Sequence, residues 1–231
     1  METMNSAGDS DLPSEGKPFH FLVRSPNPLG DACMALPAVR ALKRSRPFVR
    51  ITVCCRENLA PMWEAREEID EVIPFSRSLN PIQVGQLIRS HGKFDGGVLL
   101  PNSFRSALEV WLGGVRNLVG YNRYQRRIFL KTAVEEPTPT EAMQHHVHRY
   151  LHLVAAIGAP TEPLDELLAI PSAPTPIMPG ASEIHLGVCP GAEYGNAKRY
   201  PIERYAEAIE SLRKSHPDTT IRVSIFGSPA E

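Results

Sequence analysis

Short continuous apolar runs along the chain alternate with stretches whose apolar residues lie three and four apart, which predicts strands and helices in turn. Phe19–Val23 is an apolar run broken by His20. A turn with two prolines and a glycine, Ser25–Asp31, follows it, and then a helical pattern over Ala32–Lys43. Pro37 lies inside that pattern and either kinks the helix or marks a late start. Arg50–Cys55 predicts a second strand, Leu59–Glu67 a short helix, Glu71–Pro74 a brief strand, and Pro81–Ser90 a helix with Ile82, Leu87 and Ile88 on one face. Phe94–Pro101 has the continuous apolar character of a buried strand. Asn102 and Ser103 then offer side-chain oxygens to cap a helix over Phe104–Trp111, closed by Gly113 and Gly114. A further helix carries His145, His146, His148 and His152 and ends near Ile157.

Six prolines between Gly158 and Ser182 give a linker composition and predict a domain boundary. Beyond it come a strand at 184–189, a glycine-rich turn, a helix over Pro201–Lys214 and a strand over Ile221–Phe226. Ile202, Tyr205, Ala206, Ile209 and Leu212 share one face of that helix, with Glu203 near its start and Arg213 and Lys214 near its end, as the helix dipole favours. The sum is an α/β protein of two doubly wound, Rossmann-like domains with a cleft between them. The first spans 19–157, the linker 158–183 and the start of the second 184–231. Residues 1–18 are polar and without periodicity, and read as a disordered leader.

Composition narrows the function. With 231 residues, 42% of them hydrophobic, the chain can bury a real core, and a formal net charge of −1 argues against a general nucleic-acid binder. Cys33, Cys54, Cys55 and Cys189 sit in apolar runs without CxxC spacing and read as buried thiols of a reducing compartment, so a cytoplasmic location is expected. The acidic, polar start lacks the pattern of a signal peptide. No run approaches the roughly 20 apolar residues of a membrane span, so membrane contact would be peripheral.

Three stretches carry candidate chemistry. From Val110 to Val134 there are Arg116, Arg123, Arg126, Arg127 and Lys131 and no acidic residue, which is either a solvated face or an anion-binding patch; Tyr121, Tyr124 and Phe129 are interleaved with it. The histidines at 145–152 lack a carboxylate or cysteine in register, so a metal site is not expected. In Gly187–Pro201 an apolar strand runs into a turn with Gly191 and Gly195, holds Lys198 in the loop and enters a helix at Pro201. Backbone N–H groups at a helix start beside a lysine suit a diphosphate, although a surface loop with a solvated lysine fits the same spacing.

Taken together, Ser25–Asp31 with Met34–Ala38, Leu100–Leu108 with Gly120 and Tyr121, and Cys189–Pro201 resemble glycosyltransferase family 9 over about positions 20–229. The resemblance implies a two-domain GT-B fold and transfer of heptose, with inversion, from ADP-heptose to an inner-core heptose of lipopolysaccharide, at the inner face of the inner membrane. It assigns Asp31 as general base and Lys198 as the group that neutralises the departing diphosphate, without a metal or other cofactor. Gly191, Ala192, Glu193 and Lys198 would meet the donor, and Asn102, Ser103, Arg123, Arg126 and Arg127 the acceptor.

The family continues past Phe226–Glu231 with further βα units and an Asp-Ser-Gly loop that grips ADP, so a fragment, or a truncated product with crippled donor binding, is expected. A non-catalytic module that binds a lipid-linked anionic core sugar is the alternative. A nicotinamide-linked oxidoreductase is disfavoured, because neither βα turn carries G-x-G-x-x-G with a ribose-binding acid downstream.

Overall fold

The computed structural model describes residues 18–46, 48–137, 145–169, 182–192 and 199–227. The chain divides into two compact units, 1–169 and 170–231.

In the first unit, β1 (Phe19–Arg24), α1 (Leu29–Ser45), β2 (Val49–Arg56), α2 (Ala60–Glu64), β3 (Glu71–Phe75), α3 (Pro81–Ser90), β4 (Gly96–Leu99), α4 (Phe104–Leu112), β5 (Leu118–Tyr121), β6 (Thr132–Val134), α5 (His146–Ala155) and α6 (Leu164–Leu168) follow in order. The strands form one parallel sheet in the order β3-β2-β1-β4-β5-β6. Period-two alternation divides the core between the two faces. Phe21, Val23, Ile51, Val53, Val98 and Val119 join one apolar cluster with α1 and α5. Leu22, Cys54, Leu99 and Leu118 join the other with α3 and α4. Gly85 and Gly113 let α3 and α4 meet closely: a Cβ on Gly85 would lie 2.6 Å from the Leu112 Cβ, and one on Gly113 2.6 Å from Ile88 Cγ2.

Several elements differ from the sequence expectation. Helix α1 starts at Leu29 and runs through Pro37, which is buried within it. β5 and β6 lie inside the stretch read only as a basic run; at four and three residues they are too short for alternation to register. α6 lies within the proline-rich stretch. Its Leu167 is fully buried, the Arg40 Nη1 donates to the Leu167 carbonyl at 2.8 Å, and Arg44 pairs with Glu166 at 3.1 Å, so this segment packs on α1 as part of the first unit. Cys54 and Cys55 are buried and their thiols are pushed up to about 12 by loss of solvation, whereas Cys33 and Cys189 are exposed. The expectation of four buried thiols is corrected at those two positions: Cys33 falls on the solvent side of α1, and Cys189 follows the end of a strand.

The described part of the second unit is one βαβ unit: β7 (Glu183–Val188), α7 (Ile202–Ser215) and β8 (Thr220–Ile225), with β7 and β8 parallel. Val188 and Ile221 are buried; Ile225 and Phe226 are exposed, and no residue of α7 is fully buried. Among the described residues, no helix is long and apolar enough to cross a membrane.

Candidate functional site

In an open parallel sheet, a crevice opens beyond the carboxyl ends of the strands where the strand order reverses, because the flanking connections leave toward opposite faces. Here that point lies between β1 and β4. A cavity of about 250 Å³ occupies it, walled by Asn27, Pro28 and Asp31 after β1, by Leu100–Ser103 after β4, by Tyr121 at the end of β5 and by the first turns of α5. The whole cavity belongs to the first unit.

The loop after β1 is tied from below. Arg24, 2% exposed, pairs at 3.2 Å with the fully buried Glu109 of α4, donates to the Ser25 carbonyl at 2.6 Å and reaches Asn27 Oδ1 at 3.3 Å. Breaking such a buried pair strands a charge, which makes the loop position stiff. The indole Nε1 of Trp63 donates to Ser25 Oγ at 3.0 Å, and that hydroxyl donates to the Pro26 carbonyl at 2.8 Å. Asp31 follows in the first turn of α1, whose N-cap is Pro28, so it faces the positive end of the helix dipole without being the cap. Its Oδ1 stands 3.6 Å from His146 Nδ1, with the carboxylate 34% exposed. Burial, with the Asp31 charge adding, pushes the Tyr150 phenol upward, so this part of the wall stays neutral.

Across the cavity a polar network starts at Arg126. Gly120 leaves room for the guanidinium: a Cβ there would lie 3.3 Å from Arg126 Nη2. Fully buried, Arg126 donates from Nε to the Tyr121 carbonyl at 2.8 Å, from Nη1 to the Pro101 carbonyl and from Nη2 to Asn102 Oδ1 at 3.0 Å. Burial holds it down to about 10, still cationic at neutral pH. The Asn102 amide in turn donates to Glu136 Oε1 at 3.3 Å. The same carboxylate takes Arg123 Nε at 2.6 Å and Arg149 Nη2. The Tyr121 hydroxyl, pushed up to about 12 by burial, donates to the Arg149 carbonyl at 2.6 Å; with its single proton used there, His152 Nδ1, 3.1 Å away, is the donor to it.

Of the residues singled out from sequence, Asp31, Asn102 and Ser103 meet at this cavity. Ser103 also caps α4, accepting from the Ser106 N–H at 3.1 Å. Arg123 stands on the network at its rim. Arg126 differs from expectation: its donors all point inward, so it braces the wall where a solvated acceptor contact was expected. Arg127 is exposed and contributes to a surface patch. The basic run is also less bare than its sequence suggests, because Glu136, just beyond it, pairs with Arg123. The histidines take separate roles, with His145 capping α5, His146 facing Asp31 and His152 facing Tyr121.

In the second unit, Gly191 and Ala192 follow β7, and the Ala192 carbonyl accepts from Arg199 at 3.1 Å. Glu193, Gly195 and Lys198 lie outside the described residues. Sequence reasoning missed Arg24, Glu136, Arg149 and Tyr150. No local pattern marks them; the one available signal was that an arginine run at a strand end needs a carboxylate nearby.

Solved structures share this fold, and curated proteins are similar in sequence. Heptosyltransferase II of Escherichia coli, in the structure of the ADP-heptose lps enzyme, matches with a TM-score of 0.70 at 25% identity, over 92% of this chain and 65% of that one. The E. coli heptosyltransferase WaaC, solved with ADP-2-deoxy-2-fluoro heptose, matches in fold with a TM-score of 0.68 at 18% identity, over 92% and 70% of the two chains. These neighbours have GT-B-type folds. Among curated proteins, the chain is 29% identical over 225 residues to lipopolysaccharide heptosyltransferase 2 of Salmonella typhimurium, and 28% identical over 232 residues to lipooligosaccharide heptosyltransferase 2 of Haemophilus ducreyi. It covers 63% of each relative's length and aligns over 90% of its own. The model of glycosyltransferase family 9 (heptosyltransferase) matches residues 83–231, more than half of the sequence, and with the crevice, its carboxylate and these relatives in view, the chain belongs to glycosyltransferase family 9.

Proposed function

We propose that the protein takes part in heptose transfer from ADP-heptose to an inner-core heptose of lipopolysaccharide, with inversion, and that the first-unit crevice receives the acceptor. The observation that carries this reading is Asp31: a half-exposed carboxylate at the switch point of a doubly wound sheet, beside Asn102, Ser103 and Arg149. A carboxylate ionised at neutral pH and held against a sugar hydroxyl can take its proton as the oxygen attacks the anomeric carbon. Attack opposite the leaving diphosphate inverts that centre. His146, which lines the same cavity, stands 3.6 Å from the Asp31 carboxylate. Lys198 meets the charge that grows on the departing ADP, which is transition-state stabilisation without a metal, and Gly191, Ala192 and Glu193 stand on the donor side. The names of the curated relatives support the heptose and the acceptor class, and that of the E. coli structure the ADP-heptose donor. Peripheral contact with the inner face of the membrane fits a lipid-borne acceptor.

The test is transfer from ADP-heptose to a heptose-bearing core acceptor, read by product mass, in the protein and in Asp31→Asn and Lys198→Ala. Asp31→Asn is expected to cut turnover by about 10²- to 10⁴-fold with acceptor affinity kept. Lys198→Ala is expected to cost about 10²- to 10³-fold in turnover. Turnover in Asp31→Asn close to the unsubstituted protein removes the base role. Acceptor binding with no transfer in any form leaves a non-catalytic acceptor-binding module.

A further inference from the structure

Glu136 stands where three donors from three separate segments converge: Asn102 after β4, Arg123 after β5 and Arg149 on α5. Arg126 adds a second layer. A guanidinium has only donors, so its bond at 3.0 Å fixes Asn102 with Oδ1 inward and Nδ2 turned toward Glu136. The amide is thereby locked as a donor aimed at an anion. Arg126 itself meets only neutral acceptors, two carbonyls and the Asn102 oxygen. Two guanidinium groups therefore share one carboxylate, with the third, Arg126, behind Asn102, and these four groups keep an excess of positive charge.

Two of its donors, Asn102 and Arg149, line the cavity, whereas Glu136 does not. The carboxylate comes from irregular backbone two residues past the end of β6, and its side chain is 16% exposed. Arg149 is built into a helix, whereas Asn102 and Arg123, like Glu136, lie on irregular backbone just past the ends of strands. Asp31, the carboxylate that does line the cavity, has His146 3.6 Å away.

We propose that Glu136 is an internal stand-in occupying an oxyanion subsite made by Arg149, Arg123 and the Asn102 amide, and that a phosphate or carboxylate group of the substrate binds there by displacing it. The proposal rests on the reading of the crevice as the acceptor side, and it names the acceptor chemistry as anionic. Two planar guanidinium forks and one amide offer paired donors that match the oxygens of either group. Exchanging one anion for another in this setting leaves no guanidinium unpaired, and releases Glu136 to water. An occupied site binds its ligand more weakly by the fraction of time it is open, so Glu136 sets a threshold that a weak anion does not cross.

Inorganic phosphate and acetate are titrated separately into the full chain and into Glu136→Gln, Glu136→Ala and Arg149→Gln, followed by the arginine Nε–H signals in NMR, with a thermal melt on each variant. Both Glu136 variants are expected to bind phosphate about tenfold more tightly than the unsubstituted protein, if the carboxylate holds the site about nine-tenths of the time. Arg149→Gln is expected to lose binding. The ratio of phosphate to acetate affinity says which oxyanion the subsite favours. Equal or weaker phosphate binding in a folded Glu136→Ala overturns the proposal and makes Glu136 a brace for the arginines. If Glu136→Gln does not fold, the alanine variant decides alone; if neither folds, the carboxylate is structural and the proposal fails. No heptose transfer enters these readouts, so loss of the transferase reading and loss of this one are told apart.

Discussion

Arg126 and Arg127 are adjacent and chemically the same, yet the fold gives them opposite tasks. Arg126 is fully buried with three internal acceptors, and Arg127 is exposed. Replacing Arg126 with Gln takes donors from the Pro101 carbonyl and the Asn102 amide oxygen and leaves the Tyr121 carbonyl with the Arg123 N–H alone, which is expected to cost about 1–3 kcal/mol of unfolding free energy. Arg127→Gln is expected to stay within about 0.5 kcal/mol of the parent. Urea denaturation checks both, and an Arg126→Gln protein as stable as the parent would show that the internal bonds are weak. The run of bases was legible in the sequence; the orientation of each was not. That orientation turns on Tyr124 and Gln125, which take positive φ (50° and 58°) and swing the chain so that the next residue points inward. Asp31 was legible because a carboxylate after a Pro-rich turn, at the start of a helix, is a local feature.

At the scale of elements, the turn Arg126–Phe129 and helix α4 build a surface that neither makes alone. Phe129 packs edge-on against Phe104 at 5.1 Å and lies 5.7 Å from Trp111, over which Arg116 sits at 4.1 Å. Around them Ile128 and Tyr124 stand out to solvent, 76% and 65% exposed, with Arg127 and Lys131 beside them. Apolar side chains ringed by cations suit the surface of an anionic bilayer. The protein is therefore expected to float with vesicles containing phosphatidylglycerol and much less with neutral phosphatidylcholine. Losing the burial of one isoleucine, about 1.5–3 kcal/mol, makes Ile128→Asp roughly ten- to a hundredfold weaker. Equal flotation on both lipids, or no effect of Ile128→Asp, would argue that the patch faces something other than a membrane. Both pieces were foreshadowed by sequence, α4 as a helix and the basic run as a patch, but their contact needed the chain to return through β5.

For the whole molecule, the contrast between the two units predicts unequal stability. The first sheet is covered on both faces by apolar clusters, while β7 and β8 form a two-stranded sheet, α7 is exposed along most of its length and Ile225 and Phe226 are open to solvent. Protection from hydrogen exchange follows buried contact, so amides of β1, β2 and β4 are expected to exchange orders of magnitude more slowly than those of β7 and β8 in the same chain. Similar protection in both sheets would mean that further cover reaches the second unit. The sequence by itself determined the βα alternation, the glycine- and proline-bearing loops and the place of Asp31 at a helix start, because periodicity and turn chemistry act between residues a few positions apart. Only the tertiary structure decided the strand order, hence where the crevice opens, and which charges share it. Asn102 meets Glu136 across 34 positions and Arg24 meets Glu109 across 85. Pairings at that separation are set by which strand lies beside which, and by the cost of burying a charge without a partner, neither of which is written in any local stretch of the chain.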